Sequence, residues 1–178
     1  MDEGAQDAPI APKIPILTIM TTDFSLPPVL QEAITRAVAQ GLSYAGTILP
    51  QQAWILAQQG AALLVDVRTV EERQFVGHVP GSVHVAWATG TALNRNPRFA
   101  RELAALLAKH AAAEDLPTIA LLLCRSGKRS ALAAQEAAKA GIPYVFCISE
   151  GFEGDLNLDE QRGHYNGWRF RGLPWVQD

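Results

Sequence analysis

At 178 residues, 48 % hydrophobic and 19 % charged, the chain has the length and balance of one globular domain with an extension, enough to bury a sizeable core. A net charge of −3 argues against non-specific nucleic-acid binding. Two cysteines, Cys124 and Cys147, supply neither a disulfide framework nor zinc-ligand spacing, which fits a reducing compartment, and no apolar run reaches the roughly 18 residues of a membrane span.

The opening residues, MDEGAQDAP, are acidic and lack the basic-then-apolar order of a secretory signal, so a cytoplasmic location is expected. Residues 1–12 read as mobile. Ile14–Met20 (IPILTIM) is an apolar stretch that needs a surface, whether as an edge strand, a packed tail or a subunit contact. Leu26–Gln40 reads as a helix, with Pro27 and Pro28 at its start and Gly41 past its end. Leu30, Ala33, Ile34, Ala37 and Val38 share one face, which should dock on the rest of the protein. We therefore divide the chain into an extension, 1–42, and a main domain, 43–178.

From Ser43 an α/β pattern begins. Thr47–Leu49 reads as a short strand, and Pro50 opens a helix ending before Gly60. Leu63–Val67 is a second strand, delivering Asp66 and Arg68 on one face near its carboxyl end. Glu71–Phe75 is a helical turn, and Glu71 or Glu72 is placed to pair with Arg68. Gly77–Gly81 is a turn in which the His78 side chain should bond backbone, and Ser82–Val85 is a third strand. Asn96 and Pro97 make a good helix opening, after which Phe99, Leu103, Leu106, Leu107 and His110 share a face. Thr118–Cys124 is a fourth strand, apolar on both sides of its pleat and so covered on both faces. The loop Arg125-Ser126-Gly127-Lys128-Arg129 leads into an alanine-rich helix, Arg129–Ala140, and Tyr144–Ile148 is a fifth strand. In the tail, Asp155–Asp178, Trp168 and Trp175 should cap a core. Alternating strands and helices predict an α/β protein, a three-layer sandwich around a five-stranded parallel sheet.

The chemistry concentrates at Cys124. A helix start directs unpaired N–H groups and the positive end of its dipole at an anion. Arg125, Lys128 and Arg129 add up to three positive charges around the same sulfur. Surroundings of that kind favour the thiolate, the nucleophilic form. Cys124 therefore reads as an anion-binding nucleophile, with Arg125, Ser126, Gly127, Lys128 and Arg129 as substrate-binding loop. Asp66 and Arg68 support it from behind, as does the carboxyl-end position of their strand. Cys147, inside an apolar strand, reads as a small hydrophobe. His84, His110 and His164 show no metal-ligand spacing, and no cofactor motif is present.

At these residues the chain resembles the rhodanese family of sulfurtransferases. Leu63–Trp87, LLVDVRTVEERQFVGHVPGSVHVAW, is close to that family's Asp-x-Arg…Glu…Gly-His-x-Pro-Gly pattern, with one extra residue between Arg68 and Gly77. Gly151-Phe152-Glu153-Gly154 resembles the glycine-rich turn after its last strand. The similarity spans Ser43 to Asp178, about three quarters of the chain. It implies strand order 1-5-4-2-3. It also implies transfer of a sulfane sulfur from a small anionic donor such as thiosulfate, through a Cys124 persulfide, to cyanide, a thiol or a protein acceptor. A persulfide carrier and a non-catalytic regulatory module are the alternatives. A cysteine phosphatase or arsenate reductase fits less well, because the arginine such loops carry six positions after the cysteine is here Ser130, Arg129 coming one residue early.

Overall fold

Prolines start the first two helices and short β-branched or leucine runs make the strands, so the elements alternate along the chain. A computed structural model describes residues 25–114 and 117–177. Residues 1–12 and Ile14–Met20, with their expected mobility and packing, lie outside the described residues. In order come α1 (Pro28–Ala39), β1 (Gly46–Ile48), α2 (Pro50–Gln58), β2 (Leu63–Asp66), α3 (Val70–Val76) and β3 (Val83–His84). Then follow β4 (Ala88–Thr89), β5 (Asn94–Arg95), α4 (Phe99–Glu114), β6 (Ala120–Leu123), α5 (Lys128–Lys139) and β7 (Val145–Ile148). The main sheet runs β1-β7-β6-β2-β3 with every neighbour parallel, which is the order the family resemblance implied.

Side-chain alternation along the two central strands divides the interior into two cores. Ala120, Leu122 and Cys124 face one side with Val145 and Cys147, against Phe99 and Leu103 of α4 and Ala133 and Ala134 of α5. Leu121 and Leu123 face the other with Phe146 and Ile148, against Leu30 of α1 and Leu56 of α2. Small residues on α5 leave no bulk between helix and sheet; Ala133, Ala134 and Ala137 are fully buried. Leu30, Ala33 and Ala37 of α1 are buried likewise, so this part of its apolar face is docked, whereas Val38, expected on the same face, stays 61 % exposed. No described helix is long and apolar enough to cross a membrane.

Some expectations need correction. The fourth helix is regular only from Phe99, two residues past Pro97, although the expected cap is made: Asn96 Oδ1 accepts the Arg98 N–H at 3.0 Å while its Nδ2 donates to the Ala86 carbonyl at 2.9 Å. The antiparallel pair β4–β5 was not expected, since two-residue strands carry no alternation to read. Arg95, in that pair, lies 3.8 Å over the Trp87 ring, which meets Phe99 edge-on and closes one core. The two tail tryptophans differ: Trp168 is fully buried against Trp54, while Trp175 stays 38 % exposed beside Phe152. His78 is fastened by its main chain, in a two-way bridge with Val176; the side-chain bond expected is not made among the described residues.

Candidate active site

Cys124 stands one residue past β6, at the carboxyl end of the sheet, where loops converge in parallel α/β folds. It is 1 % exposed. The loop after it turns back because Gly127 takes φ +86°, a left-handed conformation costly for any residue with a Cβ, and so caps α5. That turn aims the Gly127 N–H at Cys124 Sγ, 3.2 Å away. Ser130, fully buried in the first turn of α5, places its Oγ 3.3 Å from the same sulfur. Two donors and a helix N-terminus therefore converge on one sulfur, an arrangement that stabilises negative charge there.

The loop carbonyls are held away from that sulfur by the glycine-rich turn. Phe152 N–H donates to the Cys124 carbonyl at 2.7 Å, and Glu153 and Gly154 N–H both donate to the Arg125 carbonyl. Gly151 lets the turn come so close: a Cβ there would lie 2.5 Å from the Cys124 carbonyl oxygen and from Ser126 N.

The three loop cations take different positions. Lys128 is exposed at the head of α5, and Arg125 is half-buried, its Nε without a hydrogen-bond partner among the described residues. Arg129 is committed to Glu72 of α3 through two hydrogen bonds, 2.8 and 2.5 Å. Burial alone would lower the Arg129 pKa, but the bonds to Glu72 and the charges of Glu72, Cys124 and Asp66 outweigh it and hold the guanidinium above its ordinary value. Burial likewise pushes the Glu72 carboxyl up; Arg129, the Thr69 N–H and the Arg68 charge overcome this and bring it below its ordinary value. Glu72 is itself fixed by a capping box with Thr69 at the start of α3.

Behind the loop, Asp66 and Arg68 pair with each other. The expected contact of Arg68 with Glu71 or Glu72 is not made, because the charge of Asp66 lies nearer on the same strand face. Both side chains are fully buried; Arg68 Nη2 bonds Asp66 at 2.7 Å and the Gly77 carbonyl at 2.8 Å, and its guanidinium lies 4.0 Å over the Phe152 ring. Arg73 of α3 reaches the same carboxylate at 2.9 Å. This network joins β2, α3 and the glycine-rich turn, the pieces that hold the loop. A cavity of about 630 Å³ lies at the opposite, amino end of the strands, lined by Trp54, Leu63 and Thr118, far along the sheet from Cys124. Among the described residues no cluster of His, Cys, Asp and Glu is suited to a metal.

Sequence reading missed Arg73, assigned no contact to the Ser130 hydroxyl and paired Glu72 with Arg68 where its partner is Arg129. Ser130 carried a signal, a small hydroxyl one helical step beyond the loop. Glu72 carried one too, at the third position of a Thr-x-x-Glu cap. Cys147 is buried in the apolar core as expected, but it also lies beside Ser130 Oγ at 3.2 Å and 3.4 Å from the Gly127 carbonyl, so its surroundings are partly polar.

The family model for the rhodanese-like domain matches residues 49–157. An uncharacterized protein of Rickettsia prowazekii is 36 % identical over 116 residues, 64 % of this chain and 82 % of that protein. The crystal structure of Rv0390 from M. tuberculosis aligns at 40 % identity and a TM-score of 0.63, covering 76 % of this chain and 99 % of that one. A thiosulfate sulfurtransferase from Pseudomonas aeruginosa aligns at 18 % identity and a TM-score of 0.48, over 84 % of this chain and 23 % of that one.

Proposed function

The chain belongs to the rhodanese-like family, and on that premise we propose that it is a sulfurtransferase working through Cys124. The Cys124 thiolate attacks the outer sulfur of a small anionic donor such as thiosulfate. A sulfur–sulfur bond forms at Cys124 Sγ as the donor's own breaks, its electron pair leaves with sulfite, and a persulfide anion remains. Cyanide, a small thiol or a protein thiol then takes the terminal sulfur and returns the thiolate. The observation that carries this reading is the convergence of Gly127 N–H and Ser130 Oγ on Cys124 Sγ at the start of α5, suited to an anionic sulfur before and after transfer.

Arg125 and Lys128 remain to meet a donor's charge, whereas Arg129 braces the loop through Glu72. Thiosulfate, a dianion, should therefore be preferred over 3-mercaptopyruvate, which carries one carboxylate. Phosphoryl chemistry is disfavoured because the sixth position after Cys124 holds a hydroxyl, Ser130, and the nearest arginine is turned to a carboxylate. Incubation with thiosulfate followed by intact mass tests the proposal. The protein should gain one sulfur atom, lost again to a reducing thiol, and Cys124→Ser should show neither adduct nor sulfite release. Turnover by folded Cys124→Ser, or aryl-phosphate hydrolysis that depends on Cys124, would overturn it.

A further inference from the structure

Beneath the nucleophile runs a row of short polar side chains that crosses the sheet. Thr47 of β1 stands opposite Cys147 of β7 in register, so the two share a face. Tyr44 OH lies 3.3 Å from Thr47 Oγ1 at the far end. Cys147 Sγ is 3.2 Å from Ser130 Oγ, which is 3.3 Å from Cys124 Sγ. All of these side chains but Thr47 are buried.

Ser130 has one hydroxyl proton and three acceptors within reach: Cys124 Sγ, Cys147 Sγ and the Gly127 carbonyl at 3.0 Å. The Gly127 carbonyl already receives the Ala131 N–H of α5 at 3.1 Å, so it depends neither on Ser130 nor on the Cys147 S–H, which has it as a second acceptor at 3.4 Å against 3.2 Å to Ser130 Oγ. The choice between the two sulfurs turns on which of them is a donor. Burial pushes the Cys147 thiol up to about 12, with Ser130 lowering it and the Cys124 charge raising it, so Cys147 keeps its proton at neutral pH.

We propose that Cys147 is a positioning residue: its S–H donates to Ser130 Oγ and so directs the single Ser130 proton onto Cys124 Sγ. Donation into Ser130 Oγ leaves the hydroxyl proton to point elsewhere, and an anionic sulfur is its strongest acceptor. The chain then reads in one direction, from Cys147 S–H through Ser130 O–H to the Cys124 sulfur, and no proton leaves its residue. This rests on the sulfurtransferase reading only for its purpose, stabilising the nucleophile; the hydrogen-bond chain itself stands on geometry.

The test follows Cys124 thiolate formation against pH by ultraviolet absorbance, which needs no sulfur donor. Other charges near the sulfur, Arg125, Lys128, the Arg129–Glu72 pair and the Asp66–Arg68–Arg73 group, are left unchanged by the substitutions. Ser130→Ala should move the profile upward by about half a unit or more, the worth of one hydrogen bond to the charged form. Cys147→Ala should move it part of the way, and Cys147→Ser, which keeps a donor, should leave it near the wild type. In the Ser130→Ala background, Cys147→Ala should add nothing. A Cys147→Ala profile equal to the wild type, or a shift of the same size with and without Ser130, would overturn the proposal. Cys147→Val supplies a second donor-free variant should the alanine protein not fold. Thiosulfate loading of the same proteins reads the sulfurtransferase assignment separately.

Discussion

Replacing Asp66 by Asn should destabilise the fold far more than it alters the chemistry of Cys124. The Asp66 carboxylate is fully buried and accepts from the Arg68 main chain at 3.0 Å, the Arg68 guanidinium and Arg73. Arg68 is also fully buried, so removing the negative charge leaves a positive one with no water to solvate it. Breaking a buried pair from one side costs about 3–5 kcal/mol. Against a typical total of about 5–15 kcal/mol that is a large share. At roughly 2–4 °C per kcal/mol for a chain of this size, the melting temperature should fall by about 10 °C. Urea and thermal unfolding followed by circular dichroism measure both quantities. The companion experiment replaces both fully buried charges, Asp66→Leu with Arg68→Met, which should be more stable than Asp66→Leu alone because the one charge left without its partner, Arg73, is partly exposed to water. Sulfur loading per folded molecule should stay within a few-fold of wild type. A loss below about 1 kcal/mol, or a double variant as unstable as the two singles summed, would refute the reasoning.

Glu72→Gln should remove stability that depends on pH. The folded-state carboxyl lies below its ordinary value of 4.5, so its contribution is present above that value and lost as pH falls through the folded one. The variant should be less stable by about 1–2 kcal/mol at pH 7, with the gap to wild type closing below about pH 4.5 in acid titrations of unfolding. Gly151→Ala should act on the site first: its Cβ would press on the Cys124 carbonyl, the loop must shift, and thiosulfate loading should slow by at least about tenfold, since small misplacements cost that much. Unchanged loading kinetics in a folded Gly151→Ala protein would show that the turn does not set the loop.

The strand–loop–helix around Cys124 was legible because local rules act there without rivals. A run of leucines can only be buried, Gly127 is suited to the reversal, and the alanines after Arg129 favour a helix that approaches the sheet. The five-stranded parallel sheet followed from the same alternation, and its strand order from the family resemblance. What stayed hidden was pairing between elements. Arg129 sits in the loop with the other cations, but its partner Glu72 is 57 positions away, and only the packed fold brings them together. Arg68 had several carboxylates within a few residues, and the side of β2 it shares with Asp66 decided among them. Cys147 reads as apolar because its chain neighbours are; its polar contacts come from Ser130 and the Gly127 carbonyl at the start of another element, α5.

The dependence of the Cys124 loop on later segments also sets an order of events during synthesis. The Cys124 and Arg125 carbonyls are held by residues 152–154, Gly151 in turn receives the Trp168 N–H, and Val176 closes onto His78. A ribosome adding about 5–20 residues per second needs roughly 3–10 s to pass from Cys124 to Val176. For that interval the nascent thiol lacks the backbone that tethers its loop. Residues 151–176, made after the nucleophile, thus complete its site, so a polypeptide truncated before Gly151 carries its nucleophile in an untethered loop.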